Sequence, residues 1–348
     1  MQKTHVSFHH KILNFKKPAT TSRDTLKTKD TYYIQLWNES CPEVMGVGEC
    51  SPIWGLSPET KEGLEIELKK IIESPDYYLT NLSKLNKFPA VQFGLEMAQK
   101  DWVEGGKKVL FPSDFVSRKN PIPINGLIWM GSLEEMEKQI EEKLNSGFNC
   151  IKLKIGSLDF DKEFELIASL RQKYSADVIE IRVDANGAFS DRDPLGKLEK
   201  LATLDIHSIE QPIRQGNWEE MKELCKNTPL PIALDEELIG VTEFVEKRKL
   251  LETIEPQFII LKPSLLGGFH HCDEWILLAE ELNIGWWATS ALESNVGLNA
   301  IAQWVFTKKN HMYQGLGTGQ LYTNNIKSPL EIVTGALLFN KTSAWGEL

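Results

Sequence analysis

The feature that most constrains this chain is a row of ionisable side chains at nearly equal intervals. Successive members are 30, 26, 25 and 27 residues apart, and each closes a short β-rich run: Lys154, Asp184, Glu210, Asp235 and Lys262. A strand of about 5 residues, a helix of about 12 and two short loops add up to roughly 25 residues. The interval is therefore that of a βα unit in which each strand ends on a charged residue.

The carboxyl ends of the strands in a closed parallel barrel converge on one face, where active sites of such barrels lie. The row is therefore predicted to meet in one pocket, as three carboxylates flanked by two ammonium groups. This pattern predicts a metal site with a base on either side.

From residue 124 onward, strand patterns alternate with helix patterns. The predicted strands are 124–129, 149–155, 179–184, 206–210, 231–235, 257–262, 284–289 and 312–316. The predicted helices are 132–146, 159–173, 194–203, 217–226, 241–250, 268–282 and 293–306. Such alternation implies parallel crossovers and an α/β fold, a modified TIM barrel of (β/α)7β type. An open doubly wound sheet would need a Gly-rich phosphate turn after its first strand, and Trp129-Met-Gly-Ser supplies none.

The first 120 residues have a different texture, which predicts an α+β capping domain. Strand patterns at 31–37 and 44–49 precede helix patterns at 59–74 and 89–104. A Pro-punctuated passage at 120–123 marks the boundary. The predicted division is therefore a cap over 1–122, a barrel over 123–319, and a tail over 320–348 that packs back on the cap.

Composition limits the class of protein. The net charge of -10 disfavours a nucleic-acid partner, and no apolar run of about 18 residues predicts a membrane span. The N-terminal residues alternate like a strand and lack the apolar core of a signal peptide. The five cysteines are scattered without metal-like spacing, which favours reduced thiols in a cytoplasmic protein.

A second lysine accompanies the first member of the row. In Ile-Lys-Leu-Lys-Ile-Gly, side chains alternate, so Lys152 and Lys154 share one face of the strand. The apolar face suits helix packing, and both lysines are expected to point into the barrel, where a buried ammonium group needs a partner. Solvated lysines on an edge strand are the alternative, which fits a strand inside βαβ repeats poorly.

The acids of the row predict the identity of the metal. A single acid at a strand end is often only a helix N-cap, but three in successive units would repel unless a divalent cation neutralised them. Oxygen ligands with room for substrate favour Mg²⁺, with Mn²⁺ as a substitute, over zinc. A lysine beside a second cation and such a metal has its pKa lowered toward neutrality, as a general base requires.

The ordered set resembles the muconate-lactonising subgroup of the enolase superfamily, over essentially the whole chain. The residues that carry the resemblance are Lys-x-Lys at 152–154, Asp184, Glu210, Asp235-Glu236 and Lys262. Sites of this superfamily join a base to Mg²⁺ that stabilises an enediolate. Its members catalyse different reactions, so the subgroup alone leaves the substrate open.

Narrower segments are similar to the o-succinylbenzoate synthase family. They are Thr-Thr-Ser-Arg-Asp-Thr at 20–25, Gly-Glu-Cys-Ser-Pro-Ile-Trp-Gly-Leu at 48–56, the segment 289–303, and Gly-Leu-Gly-Thr-Gly-Gln at 315–320. The resemblance implies a lyase that dehydrates 2-succinyl-6-hydroxy-2,4-cyclohexadiene-1-carboxylate to o-succinylbenzoate, a step of menaquinone synthesis.

The resemblance also implies roles for residues. Lys154 would remove the proton alpha to the carboxylate and help hydroxide leave from the same face, while Lys262 would stabilise the enediolate from the opposite face. Lys152 would touch the substrate carboxylate. The remaining roles are Mg²⁺ ligation by Asp184, Glu210 and Asp235, and support of the site by Asn186 and Glu236. Glu237 stands where many relatives carry Ser, which predicts extra negative charge near the rim.

A dipeptide epimerase or N-acylamino-acid racemase on the same scaffold is the main alternative. Dipeptide epimerases carry acids near the eighth strand, and residues 315–320 contain none. Muconate lactonisation is a weaker alternative, and a racemase that uses His is disfavoured because 284–290 contains no histidine. His270 and His271 are interpreted as capping or surface residues. A barrel that only binds a ligand would leave the charged set without purpose.

Further substrate contacts are expected around the pocket. Arg23 is a candidate for a mobile lid or a plain hydrophilic loop, and Trp54 for a pocket wall or the cap core. The candidates at strand-end loops and on the first strand are Ser264, Ser290, Gly317, Asn125 and Trp129. The expected partner is a small carboxylate substrate, with no nucleic acid and no membrane, and a homo-oligomer stays open.

Overall fold

The strands and helices form an antiparallel N-terminal group and a longer alternating group. The computed structural model describes residues 3–20, 25–117, 120–189 and 193–348. The strands are β1 (Thr4–Thr20), β2 (Thr25–Asn38), β3 (Cys41–Cys50), β4 (Ile122–Pro123), β5 (Gly126–Ile128), β6 (Cys150–Lys154), β7 (Glu180–Asp184), β8 (Ser208–Glu210), β9 (Ile232–Leu234), β10 (Phe258–Leu261), β11 (Gly285–Ala288), β12 (Leu330–Val333) and β13 (Ala336–Phe339). The helices are α1 (Lys61–Glu73), α2 (Pro75–Thr80), α3 (Pro89–Val103), α4 (Leu133–Asn145), α5 (Phe160–Lys173), α6 (Pro194–Ala202), α7 (Trp218–Asn227), α8 (Phe244–Ile254), α9 (Pro263–Leu266), α10 (Gly268–Glu281) and α11 (Asn295–Thr307).

The N-terminal group is the expected α+β cap, with β1, β2 and β3 in an antiparallel sheet of that order. Side chains alternate along β2, so Tyr32, Ile34 and Leu36 share a face and are almost completely buried. They belong to one apolar cluster with Leu64 and Leu68, which lie one turn apart on α1. The cap therefore has a hydrophobic core of its own.

Within the cap, β3 and α3 approach until their backbones nearly touch. A Cβ atom on Gly48 would lie 1.8 Å from the carbonyl oxygen of Gly94, and one on Gly94 would lie 2.6 Å from Sγ of Cys50. Real Cβ atoms essentially never come within 3.0 Å of another heavy atom, so a side chain at either position would force the strand or the helix to shift. This approach fixes α3 against the sheet.

The alternating group is a parallel barrel, as predicted. Its seven strands lie in the order β11-β10-β9-β8-β7-β6-β5, all parallel. The predicted strands from 149–155 to 284–289 are all present. Each is shorter than predicted, since one or both of its ends belong to loops. Strands with both faces buried are typical of such sheets.

The eighth predicted strand, 312–316, is reduced to two bridging residues. Gln314 pairs in parallel with Ile124, and Gly315 pairs in parallel with Thr289. From inside the barrel, Arg182 donates to the carbonyl oxygen just before Gln314, at 2.9 Å. These contacts join the two ends of the sheet, so the barrel is closed by a short segment instead of a full strand.

The C-terminal tail contacts first the cap and then the start of the barrel. The backbone N–H of Lys16 donates to the carbonyl oxygen of Leu321, and that of Thr323 donates to Asn14, at 2.8 and 2.9 Å. Strands β12 and β13 then form an antiparallel hairpin that pairs with β4. The division into domains at residues 122 and 319 stays a prediction.

Two sequence expectations, on the cysteines and on membrane spans, can be compared with the structure. All five cysteines are free thiols; Cys41 is partly exposed and the others are buried. None of the described helices has the length and apolar character needed to cross a bilayer.

The backbone contact between β3 and α3 generates a prediction. Gly48→Ala should lower the free energy of unfolding by about 3 kcal/mol, because the added methyl group forces the strand and the helix apart. Gly105→Ala is the control, since Gly105 has φ +91° but open space around a Cβ, and should lose only about 1 kcal/mol. Urea denaturation measures both values. Equal losses would show that the close approach does not matter.

Candidate active site

Five consecutive barrel strands carry charged side chains to the same end of the sheet. The strand register sets Lys154 beside Asp184 and Asp184 beside Glu210. Asp235 and Lys262 directly follow β9 and β10. Because these strands are parallel, the side chains gather at the carboxyl end of the barrel, as their spacing predicted.

The first half of the row is an alternation of lysines and acids. The ammonium group of Lys154 donates to Oδ2 of Asp184 at 2.8 Å and to Oδ1 of Asn186 at 2.7 Å. Nζ of Lys152 lies 3.0 Å from the same Asp184 oxygen and also donates to Oε2 of Glu210. Lys152 therefore bridges two carboxylates that belong to neighbouring strands.

The second half continues the alternation toward β10. Nζ of Lys262 donates to Oδ2 of Asp235 and lies 3.6 Å from Oε1 of Glu210. Lys154 and Lys262 thus occupy opposite ends of the row, with three carboxylates and Lys152 between them. This is the placement that two groups acting on opposite faces of one carbon atom require.

The row is buried, which makes its charge balance essential. Asp184, Glu210 and Asp235 are 1%, 2% and 3% exposed. Isolated buried charges are very costly, whereas paired and hydrogen-bonded charges are tolerated. Each acid here touches at least one ammonium group, so the site is held together by mutual compensation.

The two carboxylates bridged by Lys152 have opposite pKa shifts. Burial alone would raise the pKa of Asp184, but Lys152 and Lys154 outweigh it and hold the pKa well below its usual range. For Glu210, burial and the negative charge of Asp184 raise the pKa to about 7, against the attraction of Lys152 and Lys262. Two acids that share one cation cannot ionise equally easily. The pKa of Glu210 is therefore raised, whereas that of Asp184 is lowered.

Without a metal ion, the pKa values of Lys152 and Lys262 are both raised. Burial lowers the pKa of Lys262, but Asp235 and Glu210 outweigh burial and hold that pKa above its usual range. The pKa of Lys152 is likewise raised, because Asp184 and Glu210 overcome its burial. The expectation of a lysine pKa lowered toward neutrality concerns the site with Mg²⁺ bound, so it stays a prediction.

The donor chemistry of the row fits a hard divalent cation. The ligands are carboxylate oxygens, and Oε1 of Glu210 is buried and accepts no hydrogen bond from the described residues. In the described conformation, however, ammonium groups separate the acids, and no group of three or more His, Cys, Asp or Glu side chains among the described residues is arranged to hold a metal ion. Ligation of one ion therefore requires the lysines to withdraw from between the carboxylates.

Two strand ends of the site have left-handed backbones. Asn186 has φ +44° and Gln211 has φ +40°, a region that residues other than glycine rarely adopt. Asn186 accepts from Lys154 and donates to Oε1 of Glu236 at 3.1 Å. It thereby links the first lysine of the row to the loop after β9, and the supporting role of Asn186 and Glu236 stays a prediction.

Gln211 is a residue that the sequence interpretation missed. Its Oε1 accepts from the backbone N–H groups of Asp235 and Glu237, at 3.2 and 3.3 Å. Its Nε2 donates to Oε2 of Glu237, whose other oxygen accepts from the N–H of Gly216. Glu237 is thus a buried support of the Asp235 loop, and the expectation that its side chain lies near the rim is wrong. The one clue that the sequence offers to the role of Gln211 is its position directly after Glu210.

Above the row lies a cavity of about 360 Å³. Its floor includes Lys152, Lys154, Asp184 and Lys262, and its walls are mainly apolar and come from both the cap and the barrel. The predicted contacts Trp54, Ser290, Gly317, Asn125 and Trp129 all line it. A charged floor under apolar walls suits a carboxylate attached to a hydrocarbon ring.

Three other sequence expectations have different outcomes. Ser264 is not among the described cavity-lining residues, because its hydroxyl is completely buried and donates to Glu293. His270 is exposed as expected, but His271 is buried, with Nδ1 2.9 Å from Nζ of Lys247. Burial and Lys247 lower the pKa of His271 to about 4. Arg23 lies outside the described residues.

Known proteins match the chain along most of its length. The family described as enolase C-terminal domain-like matches residues 135–343, and the family described as MenC, N-terminal domain, matches residues 4–102. The o-succinylbenzoate synthase of Desulfotalea psychrophila is 47% identical, over 95% of this chain and 98% of that protein.

Solved structures agree with these matches. The crystal structure of MenC from Desulfotalea psychrophila has a TM-score of 0.86 and 44% identity, and the match covers 96% of this chain and 99% of that one. The L-Ala-D/L-Glu epimerase from Bacillus subtilis has a TM-score of 0.84 at 19% identity, covering 99% and 98%. The second likeness shows the fold alone.

Lys152 at the centre of the row generates a prediction for stability. Lys152→Met should lower the free energy of unfolding by about 3–5 kcal/mol in buffer with a metal chelator, because Asp184 and Glu210 then face each other without their shared cation. Lys200→Met removes an exposed pair with Asp161 and should cost at most about 1 kcal/mol. Denaturant titration compares the two. A loss at Lys152 no larger than at Lys200 would contradict the charge-balance interpretation.

Proposed function

Because the chain belongs to the o-succinylbenzoate synthase family of the enolase superfamily, we propose that the row of lysines and carboxylates performs the dehydration of that family. The family consists of carbon–oxygen lyases, and the substrate is 2-succinyl-6-hydroxy-2,4-cyclohexadiene-1-carboxylate. The observation that carries the assignment of roles is the position of Lys154 and Lys262 at opposite ends of one buried row of carboxylates.

Lys154 is the acid and base of the reaction in this proposal. Its unprotonated amine takes the proton alpha to the substrate carboxylate. The carbon–oxygen bond then breaks, and the departing hydroxide receives the same proton and leaves as water. One side chain can do both only if proton and hydroxide leave from the same face, which makes the elimination syn. A hydrogen bond to Oδ1 of Asn186, which is not one of the proposed metal ligands, orients the amine.

Lys262 and Lys152 supply charge without moving protons. Lys262 faces the substrate from the other end of the row and stabilises the negative charge that develops when the proton is lost. Lys152, which already bridges Asp184 and Glu210, is placed to touch the substrate carboxylate. The side chains of both lysines are largely buried, so their charges are screened less than they would be in water.

Asp184, Glu210 and Asp235 would hold Mg²⁺, with Mn²⁺ as a substitute. Their oxygen donors and their burial support this ligand set. When bound, the ion would supply positive charge beside the enediolate and would offset the carboxylates, which otherwise hold the pKa values of Lys152 and Lys262 high. In the cell, the product o-succinylbenzoate would serve menaquinone synthesis.

A dipeptide epimerase is the second candidate, and the cavity argues against it. The acids that line the cavity among the described residues are Asp184 and Glu236, both on its floor. No acid of the walls is therefore available to bind the amino group of a dipeptide. Racemisation of N-acylamino acids needs the same two lysines and no such acid, so it stays open as a side activity.

The lysine roles are tested by substitution. Lys154→Ala and Lys262→Ala should each lower kcat for dehydration by about 10²–10⁴-fold, because proton transfer and charge stabilisation are lost. Lys200→Ala is the matched surface control and should retain activity. Formation of the aromatic product is followed by ultraviolet absorbance. Near-normal turnover in either variant would remove that lysine from the mechanism, and epimerisation of dipeptides without dehydration would favour the second candidate.

The metal assignment is tested by chelation and by thermal shift. Removal of divalent ions should abolish dehydration, and Mg²⁺ should restore it. At about 100 times its dissociation constant, Mg²⁺ should stabilise the fold by about 2.7 kcal/mol. Asp184→Asn should lose this stabilisation, since one ligand no longer carries charge. Full activity in chelator, or an unchanged Mg²⁺ shift in the variant, would rule out this site.

A further inference from the structure

Three carboxylates of the cap each accept hydrogen bonds from the first turn of a helix. Glu59 accepts from the N–H of Ala90, at 2.8 Å, and so caps α3 within the cap. Glu49 and Glu96 instead reach across to helices of the barrel. The three groups are chemically alike and differ in whether the hydrogen bond crosses between cap and barrel.

Glu49 is completely buried near the end of β3. Its Oε1 accepts from the N–H of Ser294 at 2.7 Å, and its Oε2 accepts from the hydroxyl of Ser294 at 2.6 Å and the N–H of Gly297 at 2.7 Å. These donors stand at the start of α11, where backbone N–H groups lack partners within the helix. The carboxylate also meets the positive end of the helix dipole.

Glu96 makes the equivalent contact from α3 to α10. Its two oxygens accept from the N–H groups of Phe269 and His270, at 2.6 and 3.1 Å. A Cβ on Gly268 would lie 2.1 Å from Oε2 of Glu96, and Gly268 has φ +93°. Glycine at this position therefore suits both the positive φ and the close carboxylate, and a larger residue there would strain the backbone and displace Glu96.

Both contacts are close in sequence to residues that line the cavity. Glu49 is followed in sequence by the cap wall, residues 53–56, and Ser294 is preceded by the barrel wall, residues 289–292. Helix α10 follows the turn that carries Lys262 and Leu265, which also line the cavity. The two carboxylates therefore set how the cap wall faces the barrel wall.

A buried lysine lies at the same contact between the cap and the barrel. Nζ of Lys29, on β2, donates to the carbonyl oxygen of Ser51 at 3.0 Å, just before the cap wall. Burial lowers the pKa of Lys29 to about 8, against the attraction of Glu293 and Glu49. Lys29 therefore lies close to an acid of the cap, Glu49, and an acid of the barrel, Glu293.

We propose that Glu49 and Glu96 are positioning residues that dock the cap on the barrel and so determine how tightly the cavity binds its substrate, although neither lines the cavity. This inference rests on the proposed function, since it presumes that the substrate occupies this cavity. Cap contacts hold substrate and transition state alike, whereas the reacting groups all stand on the barrel. Loosening the cap should therefore raise KM and leave kcat nearly unchanged.

The test compares Glu49→Gln and Glu96→Gln with Glu59→Gln in the full chain with Mg²⁺. All three remove the charge of a buried helix-capping carboxylate, so all three should lower Tm. Only the first two should raise KM for the cyclohexadiene substrate, by about tenfold, with kcat within about twofold of the unaltered enzyme. Ser294→Ala, which removes one donor to Glu49, should raise KM in the same direction by a smaller factor and guards against a misfolded Glu49 variant.

Hydrogen exchange provides a readout that does not depend on activity. In Glu49→Gln, the amides of Ser294 and Gly297 and the segment 53–56 should exchange faster, while Glu59→Gln should leave them protected. Equal KM values in Glu49→Gln, Ser294→Ala and Glu59→Gln would overturn the inference, as would unchanged exchange. An unaltered enzyme that does not dehydrate the substrate would instead refute the proposed function, and the exchange comparison would still decide whether Glu49 docks the cap.

Discussion

The site depends on one interaction, the mutual compensation of buried charges along the row from Lys154 to Lys262. No member could be buried alone, since an isolated charge in the interior is far more costly than a paired one. The parallel barrel makes the row possible because its register sets Lys154, Asp184 and Glu210 side by side. In the proposed mechanism the same compensation also matters for the chemistry, because a dication bound by the carboxylates would release the lysines to act on a substrate.

Much of this arrangement could be predicted from the sequence, because a strand that ends on a charged residue leaves a local signal. The βα interval located the row, and alternation in β6 placed Lys152 beside Lys154. Contacts between distant segments leave no such signal. Glu49 and Ser294 are 245 positions apart, so neither sequence context revealed that one caps the helix of the other. Ser264 was misassigned for the same reason, since its partner Glu293 comes from another loop.

The floor of the cavity belongs to the barrel, whereas its walls come from both the cap and the barrel. The fold is shared with an epimerase at 19% identity, so the barrel by itself does not select a reaction. We expect selection between related reactions to come from the walls, which the cap and the loops after the last strands build together. In the role that we propose for Glu49 and Glu96, the docking of the cap would contribute to specificity although neither residue lines the cavity.

The most direct test of the buried row as a metal-dependent site is a crystal structure with Mg²⁺ and o-succinylbenzoate bound. Asp184, Glu210 and Asp235 should all ligate one ion at about 2.1 Å, with Lys154 and Lys262 on opposite faces of the ring carbon that bears the carboxylate. An ion bound elsewhere, with the lysines still between the carboxylates, would contradict it.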